Sequence, residues 1–185
     1  MEELVKKAQK GDEEAFTNLM LSIKTDLYKI AKTRLKDDDD IYDVIQETML
    51  LAFKSIKKLR KTQSFKQWII KILVNRSNSL YNKKNKNKSI PIHEIENYAI
   101  GNYSNMENIE TVLDFNFVCQ ELKYDDRIIV TLYYMEDFTD KEIGKILDLK
   151  ENTVKTRRTR IKEKMKKFID KGEKIYGWIW KKITR

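Results

Sequence analysis

The chain has 185 residues, 41% of them hydrophobic, with one proline, five glycines and a formal net charge of +9. That composition favours helices with short connections over a strand-rich fold, and no apolar run approaches the ~18 residues that cross a bilayer. Cys119 is the only cysteine and His93 the only histidine, which excludes an intrachain disulfide and a Cys/His zinc site.

Met1–Lys10 is amphipathic and charged, unlike a signal peptide, so a cytoplasmic protein is expected. Gly11 can close this short leading helix, and Asp12 can cap the next one. Phe16, Leu19, Met20, Ile23, Leu27, Ile30, Ala31 and Leu35 then recur at helical spacing for about six turns. The run Asp37–Asp40 reads either as a solvated connection or as the acidic start of a helix. A second long helix carries Ile41, Val44, Thr48, Ala52, Ile56 and Leu59 along one face. Lys61–Ser64 reads as a loop with Ser64 as N-cap. A third helix follows with Phe65, Trp68, Ile69, Ile72, Leu73 and Leu80. These helices can bury their stripes against one another as an N-terminal domain over residues 1–84.

Residues 85–108 lose periodicity, contain the only proline, and read as a flexible linker. Beyond it, Val112, Phe115, Val118, Cys119 and Leu122 mark one helix, and Ile128, Ile129, Leu132 and Tyr133 another. Cys119 is expected to pack as a small apolar residue. Thr139 and Glu142 form a capping box before Ile143, Ile146 and Leu147. Asp148-Leu149-Lys150 is a short turn, and a basic helix from about Glu151 to Asp170 turns Val154, Ile161, Met165 and Phe168 inward. Helix, tight turn and basic helix is the layout of a DNA-binding helix-turn-helix. The fold class expected is therefore all-α, with a C-terminal domain over 109–170 and an aromatic, basic tail over 171–185. That tail reads as packing back on the domain, with a partner or a membrane interface as the other options.

Charge is segregated along this plan. Residues 48–93 hold 12 basic and no acidic side chains, and residues 151–185 hold 13 basic against 4 acidic. Residues 1–47 and 94–150 run the other way, with 12 acidic against 8 basic and 13 against 5. Two basic blocks on separate units suggest two contacts along one polyanion. Three of the eight arginines, Arg157, Arg158 and Arg160, fall within four residues of the last helix. Arginine can fork two hydrogen bonds onto guanine, and neighbouring Asn152, Thr153, Lys155, Thr156 and Thr159 can reach phosphates or base edges. Arg158 lies four residues after Val154 on the inward stripe, so its stem is expected to pack and its head to snorkel. Arg157 suits a phosphate or an internal carboxylate. No Gly-rich phosphate loop, nucleophile elbow or pair of catalytic carboxylates stands out, so neither an enzyme nor a cofactor is expected.

Asp43, Gln46 and Glu47 share one helix face, a polar docking surface beside the acid-free block. Asp43-Val44-Ile45-Gln46-Glu47-Thr48, followed by Phe65-Lys66-Gln67-Trp68-Ile69 and Asn75, resembles the extracytoplasmic-function (ECF) group of bacterial sigma factors. Ala8-Gln9-Lys10-Gly11-Asp12-Glu13-Glu14-Ala15-Phe16 is similar to that group's opening motif, and Thr153-Val154-Lys155-Thr156-Arg157 to its recognition-helix motif. The resemblance extends to about Asp170 and implies a promoter-selecting factor. Asp43, Gln46 and Glu47 would bind core RNA polymerase at the clamp helices of its largest subunit. Lys61, Thr62, Ser64, Phe65, Trp68, Asn75 and Arg76 would engage the −10 element, and the C-terminal domain would read the −35 element of promoter DNA. Control by an anti-sigma factor, often membrane-bound, is implied too. The chain departs from the group's pattern at Ser79 and Asn82, where Asp and Arg are usual, and at Arg158, where an aliphatic residue is usual. Phe65 and Trp68 also fit a purely structural role. A stand-alone helix-turn-helix regulator is the alternative, and it predicts a two-fold symmetric site without polymerase.

Overall fold

The structure, a computed structural model, describes residues 1–86, 119 and 122–169. The chain divides into two compact units, Met1–Glu94 and Ile95–Arg185. Among the described residues every element is helical.

The first unit packs α1 (Glu2–Gln9), α2 (Glu13–Lys32), α3 (Asp38–Ser55) and α4 (Phe65–Lys86). Gly11, with φ +97°, takes the left-handed conformation that lets the chain reverse after α1. Its N–H and that of Asp12 return to the carbonyls of Ala8 and Lys7 at 3.0 and 3.2 Å. Asp12 then caps α2 by accepting from the Ala15 N–H at 2.8 Å. Asp37 caps α3 through the N–H groups of Asp39 and Asp40. The acidic run is thus a helix start, where the positive end of the helix dipole favours carboxylates. Val5, Leu19, Ile23, Leu27, Ile30, Ile41, Ile69 and Leu73 are fully buried between these helices. Burying each such side chain stabilises the unit by roughly 1.5–3 kcal/mol. The ion pairs Lys32–Asp38 and Lys84–Asp40 tie α3 to its neighbours.

α3 ends earlier than its apolar stripe predicts. A 3-10 turn at Ile56–Lys58 follows, Leu59 is extended, and a second 3-10 turn at Thr62–Ser64 leads into α4. At this break Gln9, reaching over from α1, donates to the carbonyls of Ile56 and Leu59.

In the second unit, α5 (Tyr124–Val130), α6 (Asp140–Leu147) and α7 (Glu151–Ile169) surround Ile128, Ile129, Leu132, Ile143, Ile146, Val154, Ile161 and Met165. α5 widens into a π turn at Thr131–Met135, where the Glu136 N–H reaches the Thr131 carbonyl at 3.3 Å. The capping box forms: the Thr139 N–H donates to Glu142 Oε2 at 2.9 Å, and Thr139 Oγ1 accepts from the Glu142 N–H at 3.3 Å. α6 stops on Asp148 at φ +55°. There the Leu149 N–H returns to the Gly144 carbonyl, and a Cβ on Gly144 would lie 2.6 Å from the Leu149 oxygen. Only glycine fits this close turn. Cys119 is buried, and desolvation pushes its thiol pKa up, so it packs as an apolar side chain. The 85–108 linker beyond Lys86, the helix sought over Val112–Leu122 apart from Cys119 and Leu122, the Phe168 side chain and the 171–185 tail lie outside the described residues.

Candidate polymerase and nucleic-acid interfaces

Helix periodicity makes α3 two-faced. Val44, Ile45 and Thr48 turn inward, and the Thr48 hydroxyl satisfies itself on the Val44 carbonyl at 2.7 Å. Asp43, Gln46 and Glu47 stand exposed on the opposite side. The same face continues with exposed Leu50 and Phe53, and Phe53 meets Phe16 edge-on at 5.1 Å between ring centroids. A polar row therefore borders an apolar patch.

The segment between α3 and α4 is held at both ends. At its entry, Gln9 Nε2 donates to the carbonyls of Ile56 and Leu59 at 3.0 and 2.7 Å. At its exit, Phe65 is 0% exposed, with its ring 6.0 Å from that of half-buried Trp68. Between these anchors Lys61 is exposed, Thr62 and Ser64 are half-buried, and the Ser64 N–H closes on the Lys61 carbonyl at 3.0 Å. Further along α4, Asn75 and Arg76 are exposed while Leu73, Val74 and Ser77 face inward. Lys66 is paired with Asp26 of α2 at 2.8 Å.

On α7, Asn152, Lys155, Thr156 and Thr159 are exposed, and Thr153 and Arg157 are half-buried. The hydroxyls of Thr156 and Thr159 donate to the carbonyls of Asn152 and Lys155 at 2.8 and 3.0 Å. Their oxygens are left as acceptors toward solvent, suited to base amino groups. Arg158 instead forks onto Asp140, Nε to Oδ1 at 2.8 Å and Nη2 to Oδ2 at 2.9 Å. Its guanidinium also lies 4.1 Å from the centroid of the Tyr133 ring. The bonds to Asp140 raise its pKa further above an already high value. Arg160 Nη2 donates to Asp126 Oδ2 at 3.1 Å.

Residues 19–87 match the family description Sigma-70 region 2, and residues 119–165 match Sigma-70, region 4. RNA polymerase sigma factor SigV of Bacillus subtilis is 31% identical over 134 residues, covering 72% of this chain and 78% of the relative. The ECF RNA polymerase sigma-E factor of Haemophilus influenzae is 29% identical over 176 residues, covering 86% and 90%. The chain belongs to the ECF sigma factors. As an alternative sigma factor it works in transcription initiation, with core RNA polymerase and promoter DNA. Two solved structures share the fold of this sigma factor at 18% identity. One is CnrH in complex with the cytosolic domain of CnrY, with a TM-score of 0.68 over 93% of this chain and 98% of that one. The other is the sigma factor RpoE with the anti-sigma factor NepR from Bartonella quintana, with a TM-score of 0.65 over 82% and 94%.

Two of the sigma factor's expected DNA-contact residues are engaged within the protein. Phe65 is wholly inside the first unit, where its ring packs under the start of α4. Arg160 Nη2 is paired with Asp126, and the side chain remains 58% exposed. Arg158 turns to the protein as its position foretold, with its head engaged by Asp140 rather than free in water. Ser79 and Asn82 are exposed, and the Ser79 hydroxyl bonds the Asn75 carbonyl at 2.9 Å. Sequence reasoning missed Leu50 and Phe53, apolar residues off the inward stripe of α3, and Gln9, whose acceptors lie far along the chain. Among the described residues no helix is long and apolar enough to cross a membrane, and no cluster of His, Cys, Asp or Glu is arranged to hold a metal ion.

Proposed function

We propose that this sigma factor docks on core RNA polymerase through the α3 face of Asp43, Gln46 and Glu47, with Leu50 and Phe53 extending that contact. Lys61, Thr62, Ser64, Trp68, Asn75 and Arg76 engage the −10 element as it opens. Capture of an unstacked base against an aromatic ring and cationic neighbours supplies roughly 1–3 kcal/mol, which suits opening without nucleotide hydrolysis. Asn152, Thr153, Lys155, Thr156, Arg157 and Thr159 read the −35 duplex. The factor contributes positioning and strand capture in the cytoplasm and no catalytic chemistry of its own. An anti-sigma protein holds it inactive, a reading that likeness to the sigma factor solved with the anti-sigma factor NepR supports.

The observation that carries the docking assignment is the exposure of Asp43, Gln46 and Glu47 together on one face of a helix whose other face is core. Asp43→Ala and Glu47→Arg, titrated against purified core polymerase, should each weaken binding about tenfold, in the range of a lost charge contact, without changing the melting temperature. Core affinity that survives both changes at several salt concentrations refutes the assignment.

A further inference from the structure

The opening motif of this chain has a job beyond capping. Its Gly11 and Asp12 turn the chain from α1 into α2, but Gln9, at the last position of α1, serves neither turn. Its side-chain amide has two N–H groups, and both are used, on the carbonyls of Ile56 and Leu59, 47 and 50 residues away. The Ile56 carbonyl also accepts the Leu59 N–H at 3.1 Å, so Gln9 closes the 3-10 turn that ends α3 and fixes the direction in which Leu59 leaves it. Lys61 and Thr62 follow after Arg60. α1 itself cannot drift, since Val5 and Ala8 are buried against the unit.

From this geometry we infer that Gln9 is a positioning residue for capture of the −10 strand. It touches no DNA; it sets the entry of the Leu59–Ser64 loop, as buried Phe65 sets its exit. The inference rests on the reading that Lys61, Thr62 and Ser64 meet the single strand. A loop clamped at both ends presents those side chains in one arrangement before the strand arrives, so binding need not order it. Glutamate has the same shape as glutamine but has no N–H to give, and it places a negative charge against two carbonyl oxygens.

The test uses holoenzyme assembled from core polymerase and the full chain. The probe is a fluorescein-labelled single-stranded DNA 12-mer, obtained by selecting a randomised pool on wild-type holoenzyme. Gln9→Glu should weaken probe binding about tenfold, the size expected when two hydrogen bonds to one loop are lost, with core affinity within about twofold of wild type. Val5→Ala, which opens a cavity in α1 without touching Gln9, controls for stability and should leave probe binding intact below its melting transition. Probe binding by Gln9→Glu equal to wild type, or an equal loss in Val5→Ala, overturns the inference. Lys61→Ala with Thr62→Ala separates the two levels. If that pair binds the probe normally, the loop assignment falls and the role of Gln9 with it; if the pair binds poorly while Gln9→Glu binds normally, only the inference fails.

Discussion

Arg158, in the middle of α7, is fastened to Asp140, the first residue of α6 and 18 positions earlier in the chain. Both side chains are largely shielded, at 17% and 13% exposure, and Tyr133 floors the guanidinium. α7 is therefore locked to α6 by a two-bonded ion pair that solvent hardly reaches.

Removing either partner should be costly. Arg158→Ala is expected to destabilise the C-terminal unit by about 2 kcal/mol, the range for charge-assisted hydrogen bonds. Asp140→Ala should cost a similar amount, and the double variant less than the sum, with a coupling of ~1–2 kcal/mol. Thermal or urea unfolding of the four proteins measures the cycle. Strictly additive losses would mean that the two side chains act independently.

Lys155 and Arg160 should separate in a salt titration. Lys155 is exposed on α7, so Lys155→Ala should weaken duplex binding about equally on all sequences and lower the salt slope by about 1. Arg160 is 58% exposed, but its partner Asp126 is only 5% exposed. Losing it leaves a shielded carboxylate alone, although solvent on the arginine side limits the cost to about 1 kcal/mol. Arg160→Ala should thus lower stability while base preference stays as in wild type. Relaxed preference at one base pair would instead make Arg160 a reader.

The capping box sets a pH dependence. Hydrogen bonds from the backbone N–H and the hydroxyl of Thr139 hold the Glu142 carboxyl below its ordinary value of 4.5. A carboxyl lowered in the folded chain stabilises fully above its unfolded pKa, and that part is lost as pH falls through the folded value. Glu142→Ala should therefore cost about 1 kcal/mol at neutral pH, and the gap to wild type should close in acid, below about pH 4.5. Melting curves from pH 7 to pH 3 follow the gap, and a constant difference would contradict the assignment.

Local chemistry in the sequence was legible where its partners are near in the chain. Asp12, Thr139 and Glu142 cap helices within three residues, and Asp43, Gln46 and Glu47 needed only the helical repeat to share a face. Phe65 and Trp68 could not be told apart, since both sit at helical spacing and only packing separates the buried ring from the half-open one. Arg158 was half legible: its register placed it inward, but nothing local named Asp140, which also fits the acidic first turn of a helix. Gln9 was illegible in this respect, because backbone carbonyls are the same at every residue and its two acceptors are chosen by the folded path alone.

With the Arg158 guanidinium turned to Asp140, the exposed row of α7 holds Asn152, Lys155, Thr156, Thr159 and Arg160, three of them short side chains. Groups of that length meet a base edge only when the helix sits deep in the groove. Under the proposed reading that depth is set from behind, by buried Val154 and Ile161 and by the Asp140 fork. If α7 reads promoter DNA as proposed, a methyl group added or lost beneath it should shift target choice without altering any exposed residue of the helix.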